Sequence, residues 1–230
     1  MPELTDEDRG KREVAYHAVD TLVSDGTCIG LGTGSTAYWA IVRAGELVAK
    51  GWSLRAVATS AETERLCREH GIPLVELMAE PVDVAIDGAD ETAPDFSLIK
   101  GGGGALFREK AVALVAKQFV VVVTERKLVS TLGAFPLPVE VVPFAAGYVA
   151  RQLEQLCPKV TPRAHEGVQF VTDNGNAILD CAFGSIHDPG ALDAHVRRIH
   201  GVVATGLFVG LASHVLVATG HGVEALTKRA

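Results

Sequence analysis

No basic stripe runs anywhere along the 230 residues. Lys and Arg number 21 against 28 Asp and Glu, a formal net charge of −7, which excludes nucleic acid as the main partner. Metal-site spacings are also missing. None of the eight histidines forms a His-x-x-x-His pair, and the four cysteines (Cys28, Cys67, Cys157 and Cys181) include no Cys-x-x-Cys. They read as reduced, partly buried thiols of a cytoplasmic protein, not as a zinc site or a disulfide framework. The opening MPELTDEDRGKRE has no apolar segment of the signal-peptide kind. Residues 201–220 lack Asp, Glu, Lys and Arg, but four glycines, His214 and two separate clusters of β-branched residues read as two buried strands, not a membrane span. Repeats and low-complexity linkers are absent. With 48% hydrophobic and 21% charged residues, what remains is an ordinary globular chain, not a disordered one.

What is present alternates between strand and helix patterns. A polar helix over residues 7–24 leads into an apolar strand at 27–31, a glycine turn, and a helix from 36 to 49. Strands follow at 54–58, 82–86 and 119–123, separated by helices at 61–70 and 105–117. This order predicts an α/β fold with a doubly wound, mostly parallel sheet. The rhythm changes at Pro136. A helix is expected at 146–156, a hairpin of 168–171 and 177–182 around Asp173-Asn174-Gly175-Asn176, a helix at 192–200 and a strand at 202–209. The prolines at 136, 138 and 143 read as a domain junction or an oligomer contact. We therefore expect a main domain of residues 1–135 and 209–230, and a small α+β domain of residues 136–208.

Three glycine-rich loops carry the chemistry. Gly30-Leu31-Gly32-Thr33-Gly34-Ser35-Thr36 joins a strand to a helix, where backbone amides and the positive helix end converge to suit an anion. A dinucleotide site would want a carboxylate after the next strand, but that strand ends Ala58-Thr59-Ser60; no Gly-Lys-Ser/Thr makes a P-loop. Asp87-Gly88-Ala89-Asp90-Glu91 follows the third strand, at the strand end where open α/β sheets bind ligands. Alone it reads as a solvated turn, or as a Mg²⁺ site using Asp87 and Asp90. Lys100-Gly101-Gly102-Gly103-Gly104 leads into a helix carrying Arg108, Glu109 and Lys110. Four glycines let a backbone lie flat against a ligand, at an entropic cost a plain loop has no reason to bear. Together the loops supply an anion cradle, carboxylates, a lysine and amide donors, which suits proton abstraction beside a carbonyl on a phosphorylated substrate.

The run GLGTGSTA, VDVAIDGADE, LIKGGGGALFREK and FPLPVEVVPF, with VTDNGNAILD and GVVATGLF further on, resembles the ribose-5-phosphate isomerase type A family over residues 13–228. The resemblance implies a doubly wound domain with a small lid, a homodimer or homotetramer, and interconversion of D-ribose 5-phosphate and D-ribulose 5-phosphate without metal or cofactor. It implies Glu109 as the general base, on the second turn of its helix, with a pKa that would have to be raised toward neutrality. Asp87 and Asp90 would contact substrate hydroxyls beside Gly88 and Ala89, and Asp87 would assist ring opening. Lys100 and the amides of Gly101, Gly102 and Gly103 would stabilise the enediolate oxygen. Thr33, Gly34, Ser35 and Thr36 would hold the substrate, with Ser35, Thr36 and Lys127 on its phosphate.

Two departures widen the phosphate assignment. Thr124-Glu125-Arg126-Lys127 puts Arg126 where the family carries a small or acidic residue, so Arg126 competes with Lys127, and Lys11 and Arg12 are further candidates. Rival readings are a related phosphosugar isomerase or lactonase, and a sugar-phosphate sensor domain. The first would lean on a catalytic histidine, and none lies between His70 and His165. The second would need a DNA-binding module, for which the segment before the first strand is too short. With a lysine as electrophile, turnover of ribose 5-phosphate is expected to be the same with and without excess EDTA; loss of activity restored by Mg²⁺ would favour the Asp87/Asp90 metal reading.

Overall fold

The computed structural model describes residues 4–228. In chain order they form α1 (Asp6–Leu22), β1 (Cys28–Leu31), α2 (Ala37–Ala49), β2 (Arg55–Ala58), α3 (Ala61–Glu69), β3 (Val84–Asp87), β4 (Glu91–Thr92) and β5 (Leu98–Ile99). Next come α4 (Leu106–Val115), β6 (Gln118–Thr124), β7 (Leu137–Val141), α5 (Ala146–Leu153), β8 (Lys159–Pro162), β9 (Ala164–His165) and β10 (Val168–Gln169). The chain closes with β11 (Ala177–Ala182), α6 (Pro189–Val196), β12 (Val202–Thr205), β13 (Leu207–Phe208), β14 (His214–Thr219) and β15 (Gly222–Ala225). Two compact units result. One takes the residues up to Ala89, Arg108–Leu128 and the residues from Leu211; the other takes Asp90–Phe107 and Val129–Gly210. This partition moves residues 90–107, 129–135 and 209–210, expected in the main domain, into the second unit. The extremes of that expected range, residues 1–3 and 229–230, lie outside the described residues.

The first unit is the doubly wound sheet, in the order β15-β14-β6-β3-β1-β2. All neighbours run parallel except the β14–β15 pair. From β1 the chain moves outward to β2, then returns to β3 on the other side of β1. The strand order thus reverses between β1 and β3, the place where such sheets bind ligands. Val120 and Val122 of β6 turn toward α1 and α2, in one cluster with Val14, Val19, Ile29 and Ile41. Burial on both faces explains why β6 is continuously apolar. Thr5 caps α1 by accepting from the Asp8 amide at 3.1 Å, and three acidic residues fill that helix's first turn, where the dipole favours them.

The second unit is built on an antiparallel sheet in the order β12-β7-β11-β8, with a smaller sheet, β13-β5-β4. Leu137, Val139 and Val141 of β7 pack with Val149 and Leu153 of α5 in a second core. Within the proline-rich stretch read as a junction, Leu137–Val141 forms a buried central strand, β7, while Pro136 and Pro143 flank it exposed. Pro138 has no amide to donate, but its carbonyl accepts from Gly206 at 2.7 Å. The expected hairpin is corrected. Its Asn-Gly turn does form, with Gly175 at φ 77° and Thr172 donating to the Asn176 carbonyl at 2.9 Å. However, β10 pairs with β9, while β11 pairs with β7 and β8. Buried β11 gains more from two long partners than from residues 168–171, where Val168 and Val171 stay exposed. The single strand expected at 202–209 is likewise two, broken at Gly206 so that β12 and β13 serve different sheets. No helix among the described residues is long and apolar enough to cross a membrane.

All four cysteines are free and buried, and burial pushes the Cys67 thiol up to about 12. Gly206 is the tightest point of the second unit. A Cβ there would stand 2.3 Å from the Lys100 carbonyl and 2.8 Å from Pro138 Cδ. Overpacking against backbone is expected to make Gly206→Ala less stable by ~2 kcal/mol in urea unfolding; an unchanged midpoint would mean the β12–β13 break tolerates a side chain.

Candidate active site

In the first unit, the β1–β3 pairing continues past the end of β1: the Gly32 amide donates to the Ile86 carbonyl at 3.0 Å. This brings the loop after β1 against Asp87, the last residue of β3, whose side chain is only 2% exposed. Asp87 Oδ1 accepts from the Gly88 amide at 2.7 Å and the Thr33 amide at 3.3 Å. A Cβ on residue 32 would fall 2.0 Å from that same oxygen, so only glycine allows the approach. Beyond it, Gly34 takes φ 112°, and Ser35 and Thr36 open α2. Gly34 and Ser35 are exposed and Thr36 half-buried, and the Thr36 hydroxyl makes no capping bond. The hydroxyls of Ser35 and Thr36 and the first amides of α2 form the anion-suited rim anticipated above.

Thr33 turns the other way. Its hydroxyl lies 2.8 Å from Thr59 Oγ1, 2.8 Å from Ser60 Oγ and 3.2 Å from Thr63 Oγ1. Thr59 donates to the Leu31 carbonyl at 3.0 Å and Thr63 to the Gly32 carbonyl at 2.9 Å. Ser60 also caps α3, accepting from the Thr63 amide at 3.0 Å. Four hydroxyls thus pin the loop from beneath, and the Thr33 side chain serves the loop, leaving its backbone to meet a ligand. The sequence reading missed Thr59, Ser60 and Thr63. Their signal was the cap pattern Ser60-x-x-Thr63 straight after β2, seen only as a missing ribose carboxylate.

The second unit holds Asp90, Lys100 and the glycines. Asp90 Oδ2 accepts from the Gly102 amide at 2.8 Å, and the Asp90 amide donates to the Ile99 carbonyl at 2.8 Å. Lys100 is 3% exposed; its amide donates to the Gly206 carbonyl at 2.9 Å, and Nζ stands 5.6 Å above the Phe208 ring. An aromatic face attracts an ammonium through its quadrupole. Gly101 and Gly104 have φ of 100° and 84°, and the Gly104 amide donates to the Gly101 carbonyl at 3.0 Å, making a tight turn. The fourth glycine is thus required by its own backbone conformation.

The helix that follows puts Glu109 in the first unit, on the first turn of α4 instead of the expected second. Its carboxylate is buried, with the residue 5% exposed. Neighbouring Arg108 reaches toward Glu64 at 3.7 Å. Lys127 lies half-buried in the short turn after β6, next to the candidate Arg126, while the candidate Lys11 is on α1. Those two converge instead on Glu7, each at 2.9 Å, and Lys11 holds the Glu7 carboxyl below the ordinary carboxylate range. Arg12 lies over the rings of Tyr16 and Trp39. Lys127 makes no ion pair among the described residues. Nor do those residues include a group of three or more His, Cys, Asp or Glu side chains placed to hold a metal ion.

Comparison with known proteins adds the following. The family model described as Ribose 5-phosphate isomerase A (phosphoriboisomerase A) matches residues 55–222. The ribose-5-phosphate isomerase A of Methanothermobacter thermautotrophicus is 47% identical over 219 residues, covering 94% of this chain and 96% of that one. That of Gloeobacter violaceus is 48% identical over 223 residues, 96% of each. Among solved structures, ribose 5-phosphate isomerase A from Methanocaldococcus jannaschii matches with TM-score 0.92 at 41% identity, covering 97% of this chain and all of that one. A D-ribose-5-phosphate isomerase in complex with phospho-erythronic acid matches with TM-score 0.93 at 37% identity, covering 98% and 100%.

The contact between Gly32 and Asp87 is testable. Gly32→Ala is expected to fold but to displace the Asp87 carboxylate, lowering turnover about 100-fold. Circular dichroism and a sugar-phosphate assay read both properties; full activity would detach Asp87 from the chemistry.

Proposed function

The chain belongs to the ribose 5-phosphate isomerase A family and interconverts D-ribose 5-phosphate and D-ribulose 5-phosphate, and we propose that Glu109 moves the proton between C1 and C2 through an enediolate. In the aldose-to-ketose direction, the Glu109 carboxylate takes the proton from C2. The C–H electron pair forms the C1–C2 double bond, and the carbonyl oxygen on C1 takes the negative charge. Glu109 then returns the proton to C1. The C2 hydroxyl loses its proton as the new carbonyl forms, and the oxygen on C1 gains one. Electrons balance within the substrate, so no redox cofactor is needed. The observation that carries this reading is the burial of Glu109 at the start of α4, directly after the glycine loop. A carboxylate can take a proton from one carbon, exchange it with solvent while protonated, and deliver one to the next.

The remaining roles divide by chemistry. Lys100 and the amides of Gly101 and Gly103 meet the oxygen that becomes negative. The Gly102 amide is already given to Asp90, so this pair fixes the carboxylate that contacts substrate hydroxyls. Asp87, beside Gly88 and Ala89, assists opening of the furanose ring by moving a proton between O1 and the ring oxygen. Thr33 and Gly34 hold the substrate, and the hydroxyls of Ser35 and Thr36, with Lys127, hold its phosphate. That end of the substrate does not change in the reaction, so these contacts serve affinity and placement. We place the enzyme in the cytoplasm, in the non-oxidative pentose phosphate pathway, as a homodimer or homotetramer. Fully exposed Phe144, with Val142 and Tyr148 also exposed, supports a contact between subunits.

Glu109→Gln keeps size and hydrogen bonding but cannot accept the proton. Its kcat is expected to fall about 10³-fold with KM near the wild-type value. A folded variant with wild-type kcat would move the base to Asp87.

A further inference from the structure

The glycine loop is gripped from behind by an arginine that none of the sequence motifs contained. Arg163 directly follows β8, its amide donating to the Ile178 carbonyl at 2.8 Å and its carbonyl accepting from Phe170 at 2.9 Å. The side chain is 13% exposed. Nε and Nη2 donate to the two carboxylate oxygens of Asp180, at 3.0 and 2.5 Å. This fork fixes the guanidinium plane. The remaining nitrogen, Nη1, donates to two successive carbonyls, Gly101 at 2.7 Å and Gly102 at 3.1 Å. Phe170 lies 5.8 Å from the guanidinium, and its ring occupies the space a Cβ on Gly104 would need.

A trans peptide carries its N–H on the side opposite its C=O. Drawing the carbonyls of Gly101 and Gly102 onto Arg163 therefore turns the amides of Gly102 and Gly103 away from it. The first reaches Asp90 at 2.8 Å; the second is aimed by the same constraint. A glycine segment has no side chain to hold its direction, and without a grip its backbone would sample many orientations. A cation on the carbonyls also polarises each peptide, making its amide a stronger donor. Asp180 balances the charge, so the arginine acts through direction and polarisation more than through a long-range field.

We propose that Arg163, locked by Asp180, is a positioning residue for the isomerisation, aiming the Gly103 amide at the enediolate oxygen and the Gly102 amide at Asp90. The proposal rests on the reading of that loop as the enediolate's donor. The test compares Arg163→Met and Arg163→Lys with Glu109→Gln, measuring kcat, KM and inhibition by inorganic phosphate. In Arg163→Met kcat is expected to fall about 100-fold while KM and phosphate inhibition stay within about threefold. Lysine supplies a charge without the fork, so Arg163→Lys should recover part of the loss. A folded Arg163→Met with wild-type kcat, or one whose phosphate inhibition falls as far as its kcat, would overturn the proposal. If the methionine variant does not fold, Arg163→Lys decides: a kcat loss with phosphate inhibition intact supports the role, and wild-type kcat refutes it. The two readings separate cleanly. Full turnover in Glu109→Gln would remove the underlying site assignment, whereas an inactive Glu109→Gln beside a fully active Arg163→Met would remove only the arginine.

Discussion

The Gly32 amide donates to the Ile86 carbonyl, and this one backbone bond carries the β1–β3 pairing one residue beyond the end of β1. The placement of the anion loop in the first unit depends on it. It sets the anion loop down onto Asp87, at a distance no side chain on residue 32 would permit. It occurs where the strand order reverses, so the loops after β1 and β3 leave the sheet together. The hydroxyls of Thr59, Ser60 and Thr63 hold the loop on its other side through Thr33. A short loop fastened at both flanks keeps its amides directed without a ligand present, which reduces the ordering that binding would otherwise require.

The second unit solves a similar problem by different means. Its donors lie on glycines, which cannot fasten themselves, so the fastening comes from groups around them. Asp90 takes one amide, Arg163 takes two carbonyls, and the Phe170 ring closes the space beside Gly104. Lys100 is anchored through its amide to Gly206, at the break between β12 and β13. Isomerisation without a redox partner asks little of a protein beyond a base and well-directed donors, and these contacts supply direction.

The sheet and the glycine loops were legible because each is a local pattern, whereas Glu109 stood out only through the family resemblance. β6 is apolar at every buried position, and an Asn-Gly pair makes its turn whatever surrounds it. Pairing was harder to read. The same turn does not bring β10 onto β11, because two longer strands compete for β11, and no window of residues around the turn contains that competition. The proline at 138 suggested a junction, since a missing amide is a local fact, while the partner for its carbonyl lies at Gly206. Arg163 was invisible for the same reason: it acts 62 residues along the chain from Gly101. Lys11 and Arg126 looked available for phosphate until their shared partner Glu7 was seen.

The central claim is that one buried carboxylate carries the proton between two carbons, and isotope exchange reads that step apart from product release. Wild type and Glu109→Gln would be incubated with ribose 5-phosphate in D₂O, and both sugars examined by NMR. The account predicts deuterium at one of the two positions on C1 of ribulose 5-phosphate with the wild type, and none with the variant. Deuterium entering at the wild-type rate in folded Glu109→Gln would contradict it.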